Sequence, residues 1–188
     1  MRNGLMALCL LSGAANAAGD APAVDRHEPG ASILSIVVHG PRLAIDLNGP
    51  VTNFIGFGHP PLTSQETAEL ARAIDVLRAG NNLFLTPPEA YCQMDSVAVS
   101  PPAYRDATRA GAAKLAASWQ FRCGNPAALI WVDARIFASF PDTAKLATSV
   151  VTPLGQKAVV LTPGTPRVLL PRSLATALWR YDPSTAGP

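Results

Sequence analysis

The chain has 188 residues, with 15 Lys and Arg against 13 Asp and Glu; that length suits one domain with a real core, and so even a balance argues against a phosphate-tracking surface. Only 15% of residues are charged and 18 are proline, a composition that fits a loop-rich domain better than a helical bundle. Lysine and arginine are scattered, with no basic stripe and no aromatic-basic interleaving, so nucleic-acid binding is not expected.

Met1-Arg2-Asn3 precedes the apolar run GLMALCLL, and Ala15-Asn16-Ala17 has the small-x-small pattern of a signal-peptidase site. Residues 1–17 read as a secretory signal peptide, because the apolar run is well short of the roughly 20 residues that span a bilayer. Leu8 stands where lipidation of Cys9 would need a small residue, so Cys9 leaves with the leader. Cleavage after Ala17 removes Arg2, leaves 14 Lys and Arg against 13 Asp and Glu, and exports the chain. Residues 18–30 read as a flexible arm, 31–172 as a single α+β domain and 173–188 as a C-terminal tail, on their small, polar and proline content.

In chain order, SILSIVVHGPRLAIDLNG predicts a hairpin turning at His39-Gly40-Pro41, with Leu43, Ile45 and Leu47 on one face. TSQETAELARAIDVLRAG predicts the one long helix: Thr63 and Glu66 form a capping box, Leu70, Ile74 and Leu77 a stripe, and Gly80 the stop. YCQMDSVAVS and KLAASWQFRC predict the arms of a second hairpin, with PPAYRDATRAGAA as its long tip. Asn125-Pro126 looks like a cap and first-turn pair, and the segment from Ala128 to Asp142 suits a strand running into a short helix that stops at Pro141. The last hairpin turns at Pro153-Leu154-Gly155 and runs out to Leu170. The expected fold is α+β: a mainly antiparallel sheet built from hairpins, with one long helix packed on it.

An exported chain that keeps Cys92 and Cys123 points first to a disulfide, with a metal-ligand pair or a catalytic thiol as alternatives. A hairpin that sets Cys92 against Cys123 also sets Met94 against Phe121, Ser96 against Trp119 and Ala98 against Ala117, keeping one face mostly apolar. A bridge there closes a loop of about 30 residues, on the order of 3 to 4 kcal/mol in the chain-entropy model. Its expected role is to fix the base of the Pro101 to Ala113 tip.

The succession LAIDLNGPVTNFIGFGHPP, NLFLTPPEAYC, WQFRCGNPAAL, IFASFPD and VVTPLGQKAVVLTPGTPRVLL resembles the ZrgA type of bacterial periplasmic zinc-uptake proteins over about His27 to Leu170. Its most specific pieces are Gly56-Phe57-x-His59-x-Pro61, Phe121-Arg122-Cys123-x-Asn125-Pro126 and Thr152-Pro153-x-Gly155-Gln156. The resemblance implies zinc as the bound metal and a zinc ABC transporter or its binding protein as partner. Two departures stand out. Where that family carries His-x-His-Gly, this chain has His27-Glu28-Pro29-Gly30, and the family's histidine-rich insert is reduced to a tip without histidine.

His59, on a loop held between glycine and proline, matches the family's histidine and is the foremost ligand candidate; the alternative is a turn histidine bonded to backbone. His27, flanked by Asp25 and Glu28, would complete a mixed nitrogen and oxygen site if the arm folds back onto the His59 loop; otherwise it is a solvated residue. Asn53 is placed to order that loop, and His39 reads as structural. Tyr104, Arg105, Asp106 and Arg109 on the tip read as surface or as a docking point for a partner. The sequence lacks a nucleophile elbow, a phosphate loop, a zinc-protease helix and paired carboxylates on one helical face, so catalysis is not expected. Two functional readings remain: weak or low-stoichiometry zinc handling, or an envelope scaffold that has lost the metal.

Overall fold

A computed structural model of the chain describes residues 28–80, 82–104 and 113–171. Residues 1–27, where the leader and most of the arm are expected, residue 81, residues 105–112 of the hairpin tip and the chain from 172 onward lie outside the described residues. The elements in order are β1 (Ala31–His39), β2 (Arg42–Pro50), α1 (Thr52–Ile55), α2 (Ser64–Ala79), β3 (Phe84–Leu85), β4 (Cys92–Ser100), β5 (Lys114–Cys123), β6 (Trp131–Ala134), α3 (Ile136–Ser139), β7 (Lys145–Thr152), β8 (Gly155–Leu161) and β9 (Arg167–Leu169).

All three expected hairpins form, and they join into one six-stranded sheet of order β4-β5-β2-β1-β7-β8. The join that hairpin logic does not supply is β1 to β7, which is parallel, with Leu34 beside Thr148 and Ile36 beside Val150. A parallel pair needs a long crossover, and here everything from β2 to α3 serves as one. The last hairpin also ends early. Thr162 and Thr165 bridge around Pro163-Gly164, and the chain then leaves for a second sheet of order β3-β6-β9.

Period-two alternation puts Leu34, Ile36, Leu43, Ile45, Leu47, Leu115, Trp119, Leu146 and Val150 on one buried face of the large sheet. The capping box predicted at the start of α2 is present, with Thr63 and Glu66 each serving the other's backbone N–H. Ala73 and Leu77 are its buried residues, and Leu70 and Ile74 are half-buried beside them. Trp119, wholly buried, donates its indole N–H to the Leu77 carbonyl at 2.9 Å and meets Phe84 edge to face at 5.0 Å. One side chain therefore ties the large sheet to the end of α2 and to the small sheet. Gly80 stops the helix at φ 59°, and a Cβ there would come within 2.9 Å of both Met94 Sδ and Trp119 Nε1, so the position needs glycine twice over.

Cys92 and Cys123 are bonded, with sulfurs 2.04 Å apart, and face each other in the ladder, as do Met94 and Phe121. Beyond that point the predicted register is corrected. A bulge at Asp95 shifts the pairing by one, so that Val97 rather than Ser96 meets Trp119, and Val99 rather than Ala98 meets Ala117. The reason is physical: side chains alternate faces, so the slip turns two valines toward the core in place of a serine and an alanine. Asp95, freed from the ladder, takes Arg122 at 3.0 Å. Nor does the bridge fix the base of the Pro101 to Ala113 tip. It closes the opposite end of the hairpin, where Cys92 opens β4 and Cys123 ends β5, about 27 Å from Ser100 at strand rise. No helix among the described residues is long and apolar enough to cross a membrane.

The bridge spans a sequence separation of 31. Replacing both cysteines by alanine is expected to lower unfolding stability by about 2 to 5 kcal/mol, read from urea titration of oxidised wild type against the variant.

Candidate metal centre

Residues from four separate stretches meet at the end of the sheet where β1 and β7 begin and β2 ends. Asn53 of α1 is 3% exposed, and its amide donates to the Ala31 carbonyl and to Ser32 Oγ, both at 2.9 Å. The Asn53 carbonyl in turn accepts from Thr143 Oγ1 at 3.2 Å, and Thr143 is itself buried. Gly49 makes the arrangement possible, because a Cβ there would overlap Ser32 Oγ. On one side Gly30 receives the N–H groups of Ala144 and Lys145 at 2.9 and 3.1 Å; on the other the Val51 N–H reaches the Ala113 carbonyl at 3.0 Å. The start of β1, the crossover into β7, the exit from β2 and the return from the hairpin tip are thus held at one end.

The His59 loop springs from the same place. Gly56 caps α1 in the left-handed region at φ 80° and turns the chain out toward α2. Phe57 and His59 stack with centroids 5.1 Å apart. His59 Nδ1 lies 2.9 Å from the Pro60 carbonyl, so the neutral tautomer with its proton on Nδ1 leaves the Nε2 lone pair free. Nε2 faces Glu66 Oε1 at 3.7 Å. The other oxygen of Glu66 is occupied, accepting the N–H of Leu62 at 2.7 Å and that of Thr63 at 3.1 Å. The Leu62 N–H is the chief cause that holds the Glu66 carboxyl below its ordinary value; partial desolvation opposes it, while the Thr63 N–H and the nearby His59 reinforce it. One oxygen of this carboxylate thus serves the helix cap while the other faces an imidazole.

Of the ligand candidates read from the sequence, His59 is about half exposed on this loop, while Glu28 is engaged in an ion pair with Lys145 at the head of β7. His27 and Asp25 lie outside the described residues. Among the described residues no group of three or more His, Cys, Asp or Glu side chains is close enough to hold a metal ion. His39 ends β1 at the other end of the sheet. Tyr104 is half-buried rather than plainly surface, and burial pushes its phenol up; Arg105, Asp106 and Arg109 lie outside the described residues. Glu66 is the residue that sequence reading missed. Its capping role explained it fully, and only the folded loop brings it back against a histidine seven positions earlier.

The profile of the ZrgA family of zinc uptake proteins matches residues 26–170. The chain belongs to that family. No curated protein matches it at significance. The described donors facing each other, His59 Nε2 and Glu66 Oε1, number two, where zinc commonly takes three or more from protein.

Two consequences follow from the geometry. Asn53→Ala leaves Ser32 and the Ala31 carbonyl without their buried partner, and is expected to cost about 1 to 3 kcal/mol in urea unfolding. Because Glu66 has a lowered folded pKa, its stabilisation is intact above the ordinary carboxylate range and is lost as pH falls through the folded value. The gap in urea midpoint between wild type and Glu66→Gln should therefore be present at neutral pH and close in acid.

Proposed function

We propose that this protein is a periplasmic, non-catalytic zinc-handling protein that binds the ion weakly and at low stoichiometry, then passes it to an uptake system such as a zinc ABC transporter or its binding protein. The observation that carries the reading is the His59 and Glu66 pair, with Nδ1 tied to the Pro60 carbonyl and Nε2 turned to a free carboxylate oxygen. A backbone carbonyl on one ring nitrogen is the usual outer-shell partner of a metal-ligating histidine, since it orients the ring and raises its basicity. Family membership supports zinc as the ion.

Two donors make a half-site, which suits a protein that must release its ion. The arm supplies the rest: His27 and Asp25 precede Glu28, and Glu28 is anchored at the same end of the sheet as the His59 loop. Glu28 itself joins the site only by leaving Lys145. The second reading, a scaffold that keeps the fold without the metal, draws on the tip that lacks histidine and on the absence of a third described donor.

Calorimetric titration of the chain from Ala18 onward with zinc separates the two. The expected result is binding of about one ion, abolished in His59→Ala, weakened about tenfold or more in Glu66→Gln and in His27→Ala, and unchanged when both cysteines are replaced. No heat at tens of micromolar zinc would leave the scaffold reading standing.

A further inference from the structure

The face of the large sheet turned away from α2 and the small sheet is covered by no described element, and its three middle rows carry a single charge. The ladders place Ser96, Gln120, Ala44, Val37, Val151 and Gln156 in one row from edge to edge. The next row, toward the start of β1, holds alanine and serine with one charge, Asp46; beyond it lie Asn48, Ile33 and Val160 among more alanine and serine. Ile33 and Val151 are 40% and 43% exposed. A solvated sheet face ordinarily alternates toward charged and branched polar residues, so this one is flat, small and unusually bare.

Its two isolated charges are arranged about that first row. Asp46 lies one row to one side of Ala44 and Arg42 one row to the other, both on β2, both exposed and pointing outward. Neither makes an ion pair within the described residues, whereas Arg122 beside Arg42 is taken by Asp95. A two-fold axis along the Ala44 row runs β2 antiparallel to its own copy. That operation carries each Asp46 onto the partner's Arg42, and it does so twice.

The area suits a weak dimer. Under that axis the Arg42, Ala44 and Asp46 rows oppose one another, the Arg42 row running only over β4, β5, β2 and β1, so with strands about 4.8 Å apart and rows about 6.7 Å apart the overlap covers roughly 450 Å² per copy. Two copies bury about 900 Å², the low end associated with transient, reversible contacts. Alanine and serine let two sheets approach closely in the aligned packing that twisted sheets adopt.

We propose that this face is the contact surface of a two-fold homodimer, two copies packed sheet on sheet about the Ala44, Val37 and Val151 row and joined by reciprocal Asp46 and Arg42 ion pairs. The interface lies on the strands and uses neither His59 nor the arm, so it stands or falls apart from zinc binding.

Sedimentation equilibrium of the chain from Ala18 onward, with chelator present and from micromolar to millimolar protein, tests it. The wild type should associate reversibly to a dimer. Asp46→Arg and Arg42→Asp should each weaken the dimer by about tenfold or more, and the double exchange should bring it back. Ala44→Glu sets two like charges on the axis and should leave a monomer whose far-ultraviolet circular dichroism matches wild type. A monomer throughout, a dimer indifferent to these changes, or a double exchange that fails to recover association would overturn the proposal.

Discussion

The arrangement at the His59 end of the sheet depends on one buried amide. Asn53 cannot be left unpaired in a site 3% exposed, and its amide and carbonyl choose partners from two distant stretches, Ala31 and Ser32 on one side and Thr143 on the other. An unmade hydrogen bond at such a place costs more than a made one gains. The residue therefore specifies where β1 begins relative to the crossover into β7, and so where the arm meets the sheet. Because Asn53 also lies within the helical turn that Gly56 caps, the same residue anchors the origin of the His59 loop. Trp119 performs the matching task at the other end of α2, holding that helix by its last turn.

The sharing of Glu66 shapes the chemistry of the loop. A cap carboxylate is already positioned by two backbone N–H groups, so presenting its second oxygen to His59 costs little further side-chain entropy. The same sharing limits the donor strength of that oxygen, since the N–H groups withdraw charge from the carboxylate. A pair assembled in this way is preorganised, with one oxygen already committed to the helix cap.

Features carried by neighbouring residues were readable in the sequence. The capping box from Thr63 to Glu66, the stop at Gly80, the turns at His39-Gly40-Pro41 and Pro153-Leu154-Gly155 and the pairing of Cys92 with Cys123 all need only local geometry or one period of alternation. What escaped was long-range or short. The parallel contact of β1 with β7 joins residues over a hundred positions apart and leaves no mark in either strand's pattern. Strands β3, β6 and β9 have 2, 4 and 3 residues, too few for alternation to register. The slip at Asp95 was hidden because YCQMDSVAVS alternates acceptably in both registers until Val97 and Val99 are weighed against Ser96 and Ala98. At the candidate site, His59 stood out by its glycine and proline neighbours, while Glu66 was masked by a complete local explanation.

The remote position of the disulfide has an evolutionary consequence. A hairpin cross-linked at its open end and zipped to β2 along the whole of β5 makes an insertion port: its tip bears no part of the covalent constraint. Chain added between Ser100 and Lys114 meets only the entropy of closing a larger loop, about 0.6 kcal/mol for each doubling of length. A lineage could therefore lengthen, recompose or delete that segment by small genetic steps without disturbing the scaffold that carries it. The tip of this chain is one setting of a length that the fold leaves free to drift.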